Sequence, residues 1–383
     1  MTHPRRAFLG CLIAAAATVA MTAPGLAAEQ GRPEVISVAG NKPGSASHAE
    51  VTAIADAVSK RFGTKIRVIP VGNAVGRAIA LQSGKSKFWM SCSAYYTAFE
   101  GIGDFGAQRW GPQDIRVLIL ANRRNNFSLA TSKKSPVKTI ADIKGKRMAW
   151  VVGNSGINMQ TEAYLAHGGL TLDDVKLVTF PGYVASLRGL ISGQTDVVMA
   201  ANSSSATREI AASPGGLRWI DIPYADAAGW QAVQRRAPFV APLTITGGPG
   251  LDEGQSAEVG SYPCPTFVAY AKAGAEDAYW MTKMVVESWD VYKTAIKSAP
   301  YWQVDEALKS RFAVPYHDGA VKYFKEIGKW TAEMDAHQQT LLKRSAVLRD
   351  AFAKAKAGYS GKAEAFGAYW TEKKAAALKA AGF

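Results

Sequence analysis

Apolar and polar positions alternate along this chain in two rhythms. Short apolar or alternating runs read as strands: "VISVAG", "KIRVIPV", "KFWMSCS", "RVLILA" and "NFSLATS". Between the first three, "HAEVTAIADAVSKRF" and "NAVGRAIALQSG" carry apolar residues at helical spacing. From "TIADIKGKRMAWVV" a second round begins. In it, "GINMQTEAYLAHGGL", "YVASLRGLISGQ" and "SSATREIAAS" read as helices, and "VKLVTFP", "TDVVMAA" and "LRWIDIP" as strands. Residues 238–260, rich in Pro and Gly, read as irregular, and "SYPCPTFVAYAK" as a returning strand with a strained start. From Asp277 onward the pattern is helical and ends in a basic, Ala-rich tail. Trp330, Tyr369 and Trp370 form an aromatic stripe there that reads as packing.

Strands alternating with helices predict an α/β architecture with largely parallel sheets. Two such rounds, joined by a crossing near 122–131 and a return near 260–270, predict two lobes on a hinge with a cleft between them. The expected boundaries are lobe 1 at 29–130 and 262–383, which includes the C-terminal helices, and lobe 2 at 131–261. Each round opens with the same join. "VISVAGNKPGSASHAEVTAI" and "AWVVGNSGINMQTE" run from a strand through small residues into a helix start. A helix N-terminus exposes unpaired N–H groups and attracts anions. Strand carboxyl ends are also where open α/β sheets hold ligands.

The first residues change the picture. "PRRAFLG", the apolar run "CLIAAAATVAM" and the small-residue stretch "APGLAAEQ" follow the order of an export signal cleaved after Ala27 or Ala28. Arg5 and Arg6 before Phe8 and Leu9 resemble the twin-arginine type, which exports folded proteins, with an ordinary secretory signal as the alternative; either way residues 1–28 are expected to be removed and the protein to reach the periplasm. Cys11 lies too early for a lipid-attachment site. Of the three cysteines, Cys92 and Cys264 then remain. Two buried free thiols are the default expectation, although an oxidising compartment would permit one disulfide. The net charge of +14 is spread rather than blocked, with no recognisable nucleic-acid module, so nucleic acid is not an expected partner. It reads as a solvated basic surface that draws in acidic solutes.

Enzyme signatures are missing. "GKS" at 84–86 lacks the earlier glycine of a phosphate loop, since Ile79 stands there. "GNSG" has the wrong spacing for a hydrolase serine. None of His3, His48, His167, His317 and His337 pairs with Cys or Glu at metal-ligand spacing, so no metal site is expected, and an enzyme reading is weakened without being excluded. What remains is polar and loop-borne. Gly44, Ser45, Ser47, His48, Asn73, Tyr95 and Tyr96 belong to the first round, and Ser155, Gly156, Asn158 and Asn202 to the second. Singly, Ser and Asn before a helix are routine caps worth about 1 kcal/mol, and the tyrosines are core. Together they cluster at strand ends in both rounds, as a binding cleft requires.

With these residues in place the chain resembles a solute-binding protein of the TRAP transporters, in the TAXI branch. "AGNKPGSASH" stands where that family has its Gly-rich ligand loop. "VIPVGNAVGRAIALQSGKSKFWMSCSAYYTAFEG", "VKTIADIKGKRMAWVVGNSGIN", "LISGQTDVVMAA" and "VPYHDGAVKYFKEIGKW" resemble its later motifs in order and spacing, over nearly the whole mature chain. Ile157 departs from the family's usual Thr, and "AANSSSA" replaces its Gly and Pro. The resemblance implies a two-lobed type II periplasmic-binding-protein fold with a hinge and extra C-terminal helices. It implies a monomeric receptor that hands a small organic anion, a carboxylate or amino-acid-like solute, to a TRAP membrane permease. Ser45, Ser47 and the N–H groups around Gly44 would hold the ligand from one lobe and Ser155, Gly156 and Asn158 from the other, with Tyr95, Tyr96 and Asn202 as walls. An exported α/β enzyme acting on a small acid, with His48 as base, is the alternative. A third reading makes the basic C-terminal helices a partner surface.

Overall fold

The structure is a computed structural model that describes residues 1, 30–122, 124–309 and 312–383, with Arg124 and Asn125 described by their backbone alone. Two compact units divide the chain, Met1–Arg32 and Pro33–Phe383. Apart from Met1, the segment expected to be an export signal, with Arg5, Arg6 and Cys11, lies outside the described residues. Every strand and helix named here belongs to the second unit.

The strands are β1 (Val35–Gly40), β2 (Lys65–Pro70), β3 (Phe88–Ser91), β4 (Ile115–Leu120), β5 (Arg124–Asn126), β6 (Ser128–Thr131) and β7 (Arg147–Val151). They continue with β8 (Lys176–Phe180), β9 (Val197–Ala200), β10 (Arg218–Trp219), β11 (Ala241–Ile245), β12 (Ala257–Pro263) and β13 (Thr266–Tyr270). The helices are α1 (Ala46–Phe62), α2 (Ala74–Gln82), α3 (Ala94–Glu100), α4 (Ser155–His167), α5 (Tyr183–Ile191), α6 (Ser205–Ala212) and α7 (Ala227–Arg236). After the last strand come α8 (Ala275–Glu287), α9 (Trp289–Tyr292), α10 (Val304–Ala307), α11 (Asp318–Glu326), α12 (Ala332–Ala357) and α13 (Phe366–Ala380).

Two five-stranded sheets share one plan. The first has the order β2-β1-β3-β13-β4 and the second, written from its matching edge, β8-β7-β9-β6-β10. Each is parallel except for one strand, β13 in the first and β6 in the second. In each sheet the antiparallel strand is the one that arrives by crossing from the other lobe. The crossings themselves, β5 and β12, pair antiparallel through Ser261↔Asn126 and Tyr262↔Asn125. Two paired strands make a hinge whose backbone groups stay satisfied while the lobes move. This is the two-lobed α/β fold with extra C-terminal helices that the sequence leads one to expect.

Three local expectations are corrected. Strand β6 already belongs to the second sheet, so lobe 1 gives way at 122–127 and not at 130. Residues 238–260 are not wholly irregular, because β11 pairs along its length with β12. Pro242 is tolerated because β11 lies at the edge of its sheet. The expected returning strand is two strands, β12 and β13, divided at Cys264–Pro265.

The expectation for the cysteines also fails: Cys92 and Cys264 are not free thiols but form a disulfide, with Cα atoms 4.9 Å apart. It joins the loop after β3 to the start of β13 and closes a sequence separation of 172 residues. Long loops favour stabilisation in the chain-entropy account, although measured gains follow loop length weakly. Replacing both cysteines by serine is expected to lower stability by about 2 kcal/mol. Calorimetric melting of the reduced wild type should show the same loss as the double variant.

The C-terminal helices extend the core of lobe 1. The Trp370 indole donates to Gly101 O at 2.6 Å, and Phe352 packs edge-on against its ring. Glu100, 2% exposed, accepts from Arg344 at 2.7 and 2.9 Å and meets Lys374 at 2.7 Å. Burial works against the Glu100 charge, but the two cations outweigh it and hold its carboxyl below the usual range. Its contribution is therefore present above the unfolded pKa, about 4.3, and lost as pH falls through the folded value. Glu100→Gln should cost about 1–2 kcal/mol at neutral pH. Its stability should fall less steeply than that of the wild type under acid denaturation. Equal acid slopes would show that the triad contributes nothing. Trp330 and Tyr369 pack against the same core, as the aromatic stripe led one to expect.

Candidate functional site

Both rounds' joins sit at the carboxyl ends of their strands, and the two lobes meet there. Gly44 O accepts from Ser204 Oγ at 2.8 Å, Ser205 Oγ at 3.1 Å and the Ala206 N–H at 3.2 Å. Val75 N–H donates to Gly153 O at 2.9 Å, and the Thr97 and Ser155 hydroxyls share a bond of 2.7 Å. Gly156 approaches so closely that a β-carbon there would stand 2.5 Å from both Ala94 N and Ser93 Oγ. The lobes are closed on each other.

Between them is a cavity of about 60 Å³. Lobe 1 lines it with Asn41, Ser45, Ala46, Ser47, Arg77 and Ser93, and lobe 2 with Asn154, Ile157, Tyr183, Ala201 and Ser204. Phe127 and Tyr262 reach it from beside the hinge strands, with the Cys92–Cys264 disulfide next to them. Phe127 packs on Tyr183 at 5.7 Å and on Tyr262 at 6.2 Å, which makes one apolar wall.

Among the described residues of this lining, Arg77 is the only charged one. It is 3% exposed and stands over the Trp89 ring at 5.8 Å. Its Nη1 donates to Asn41 Oδ1 and to Val71 O at 3.0 Å. Its Nε is buried without a partner, and no described residue bonds Nη2. Burial pushes the guanidinium pKa down to about 9, still cationic at neutral pH. A buried cation with no carboxylate opposite it costs free energy, and an incoming anion would remove that cost. A guanidinium has the planar fork that a carboxylate accepts bidentately.

The start of α1 adds further donors. Ser45 caps the helix, accepting from the His48 N–H at 3.3 Å. The Ala46 and Ser47 N–H groups make no hydrogen bond among the described residues, as befits a first turn. Asn41 bridges the two parts: its Oδ1 takes Arg77 and its Nδ2 donates to Ser47 Oγ. Arg77 and the helix dipole therefore act on one end of the cavity.

The residues singled out in the sequence divide. Ser45 and Ser47 line the cavity. Gly44, with φ of +97°, clasps lobe 2 through its carbonyl instead of offering N–H groups to the cavity. Asn73 caps α2 by accepting from the Gly76 N–H at 2.8 Å. Tyr95 is core, and Tyr96 stacks edge-on against Phe239 of lobe 2 at 5.0 Å. Asn202 bonds through its N–H to Asn126 Oδ1 at 2.8 Å. His48 holds Asn41 O at 2.9 Å and is not part of the lining, which leaves it no place as a base.

In the second join Asn154 and Ile157 line the cavity, but the residues expected to hold the ligand do not. Ser155 Oγ meets Thr97, and its N–H donates to the Asp104 carboxylate of lobe 1. Asn158 folds back onto Val151, accepting at 3.1 Å and donating at 2.9 Å. The N-terminus of α4 thus closes on protein. The sequence reading missed Arg77, Asn41, Tyr183, Phe127 and Tyr262. An arginine inside "NAVGRAIALQ" carries no signal of burial. The aromatics meet only when the hinge strands pair.

Among the described residues no helix is long and apolar enough to cross a membrane, and no His, Cys, Asp and Glu cluster could hold a metal ion. Solved structures similar to this chain include an alkanesulfonate-binding protein from Xanthomonas axonopodis pv. citri, bound to MOPS. It is 15% identical, with 81% of this chain and 95% of that chain covered and a TM-score of 0.46. Another is PhnD1 from Prochlorococcus marinus (MIT 9301) in complex with methylphosphonate, 12% identical, with 78% and 99% covered and a TM-score of 0.46. A third is an ancestral arginine-binding protein bound to arginine, 16% identical, with 71% and 99% covered and a TM-score of 0.44. Residues 49–328 match the NMT1-like family, well over half of the chain, and the chain belongs to that family.

Proposed function

We propose that this protein is an extracytoplasmic solute receptor that closes its two lobes on a small organic anion and delivers it to the membrane permease of a TRAP transporter. The observation that carries the reading is Arg77: a buried guanidinium on the cavity wall, its Nε without a partner and no carboxylate opposite it. The free N–H groups at the start of α1 add a second source of positive potential on the same end. The paired hinge strands and the hydrogen bonds between lobes supply the closing motion and its latch. Holding and releasing a solute this way needs no cofactor and no general base. The protein acts in this reading as a periplasmic monomer, and the resemblance to the TAXI branch supplies the identity of the permease.

The test uses protein purified from its own periplasm. Native mass spectrometry should show one molecule of a small anion per chain. Small-angle scattering should then show a larger radius of gyration once that anion is dialysed away. A protein with no bound or bindable anion, and a radius that never changes, would sink the receptor reading.

A further inference from the structure

We infer that the ligand is a small monovalent acid that carries no ammonium group. The inference rests on the receptor reading above and names the class of solute that the same site accepts. Size comes first. The cavity offers about 60 Å³ to the centres of water-sized spheres. The room is that of a small solute.

Charge comes second. Arg77 is the one cation among the described residues of the lining, and one guanidinium pairs with one carboxylate or one sulfonate. A second negative group would meet no second cation among the described residues of the lining, only neutral donors, so burying it costs free energy.

The missing acid comes third. No Asp or Glu stands among the described residues of the lining. The acidic groups near the lobe junction stand outside the lining: Glu50 Oε2 accepts from the Trp302 indole at 2.9 Å, and Asp104 accepts the Ser155 N–H while its Oδ2 is buried without a partner. An ammonium brings three donors and a charge that needs a carboxylate. Here it would lie in a small cavity beside a guanidinium, with repulsion in a poorly screened site. Ser47 can donate its hydroxyl hydrogen, since the bond from Asn41 uses its oxygen as acceptor. The side chains of Ser93 and Asn154 make no hydrogen bond among the described residues, so a hydroxyl or keto oxygen on the ligand finds neutral partners. Ile157, Phe127, Tyr183 and Tyr262 receive an apolar body.

Isothermal titration of the full chain, freed of bound solute by partial unfolding and refolding, tests this with matched pairs. Glycolate is set against glycine, and lactate against alanine, so that each pair differs by hydroxyl and ammonium. Malonate and succinate test the second charge, and benzoate tests size. At least one of the hydroxy acids is expected to bind at least 10-fold more tightly than its amino partner, than either dianion and than benzoate. Arg77→Met is expected to abolish that binding. Amino acids or dianions that bind as well as the hydroxy acids, and lose binding in Arg77→Met, would overturn the inference and leave the anion receptor standing. Benzoate as the tightest ligand, again dependent on Arg77, would overturn the size limit in the same way. Absence of heat with every anion would overturn both readings.

Discussion

Arg77→Met is expected to weaken binding of the anion by at least ~100-fold, about 2.7 kcal/mol, without lowering the melting temperature of the ligand-free protein. Hydrogen bonds to a charged group contribute about 1.5–3 kcal/mol, and a bidentate pair in a desolvated cavity belongs at the upper end. The stability half of the expectation has a separate cause. In the absence of ligand Arg77 is a buried cation with no carboxylate opposite it, and methionine of similar length removes that burden. Met also forfeits the Nη1 bonds to Asn41 and Val71, so the net change in stability is expected to be zero or favourable. Arg77→Lys should fall between, since it keeps the charge and loses the fork. Calorimetry and melting on the three proteins decide it. Undiminished binding in Arg77→Met would remove Arg77 from the site. A lower melting temperature with intact binding would make it a structural residue.

Gly156→Ala is expected to be nearly as damaging, by a different route. A β-carbon at 156 would stand 2.5 Å from Ala94 N and Ser93 Oγ and 2.8 Å from the Ser93 carbonyl carbon. Two of those three atoms are backbone and cannot swing aside. Overpacking a tight contact costs about 1–3 kcal/mol, and this one lies across the closing surface, so the closed state alone should suffer it. Binding should weaken by up to ~100-fold, since apparent affinity falls with the population of the competent state. The isolated helix gains, because Ala is the better helix former by up to ~1 kcal/mol. The variant should therefore melt no lower than the wild type without ligand and keep an expanded radius of gyration when anion is added. Full compaction by scattering, with wild-type affinity, would show that the lobes do not need this contact.

The two rounds of strand and helix were legible because each element is set by its own residues. Residues 117–120 are buried at every position and read as one apolar run, as a strand covered on both faces must. Helix α1 could be read from its ends, with Ser45 at the cap, Lys60 and Arg61 in the last turn and Gly63 in the left-handed conformation after it. The joins, the crossing and the aromatic packing of the tail follow from the same local rules. Ser45 and Ser47 reached the cavity for that reason, since the N-terminus of α1 is in place as soon as the strand before it is.

Tertiary structure decided the rest. In α2, Arg77 is 3% exposed while Ile79, two positions on, is 51% exposed, the reverse of what amphipathic spacing expects. Only the neighbouring Asn41, Val71 and Trp89 explain it, and they come from three other segments. The start of α4 had every local mark of an anion site, yet Asp104 and Thr97 of the other lobe occupy it. The disulfide joins residues 172 positions apart, a distance over which no periodicity carries information. The sequence by itself determined most of the elements, their order and the existence of two lobes, because hydrophobic spacing and capping act over one or two turns. Which helix start faces the ligand, and which charge is buried there, were decided by how the lobes close, because those contacts join residues that only the fold makes neighbours.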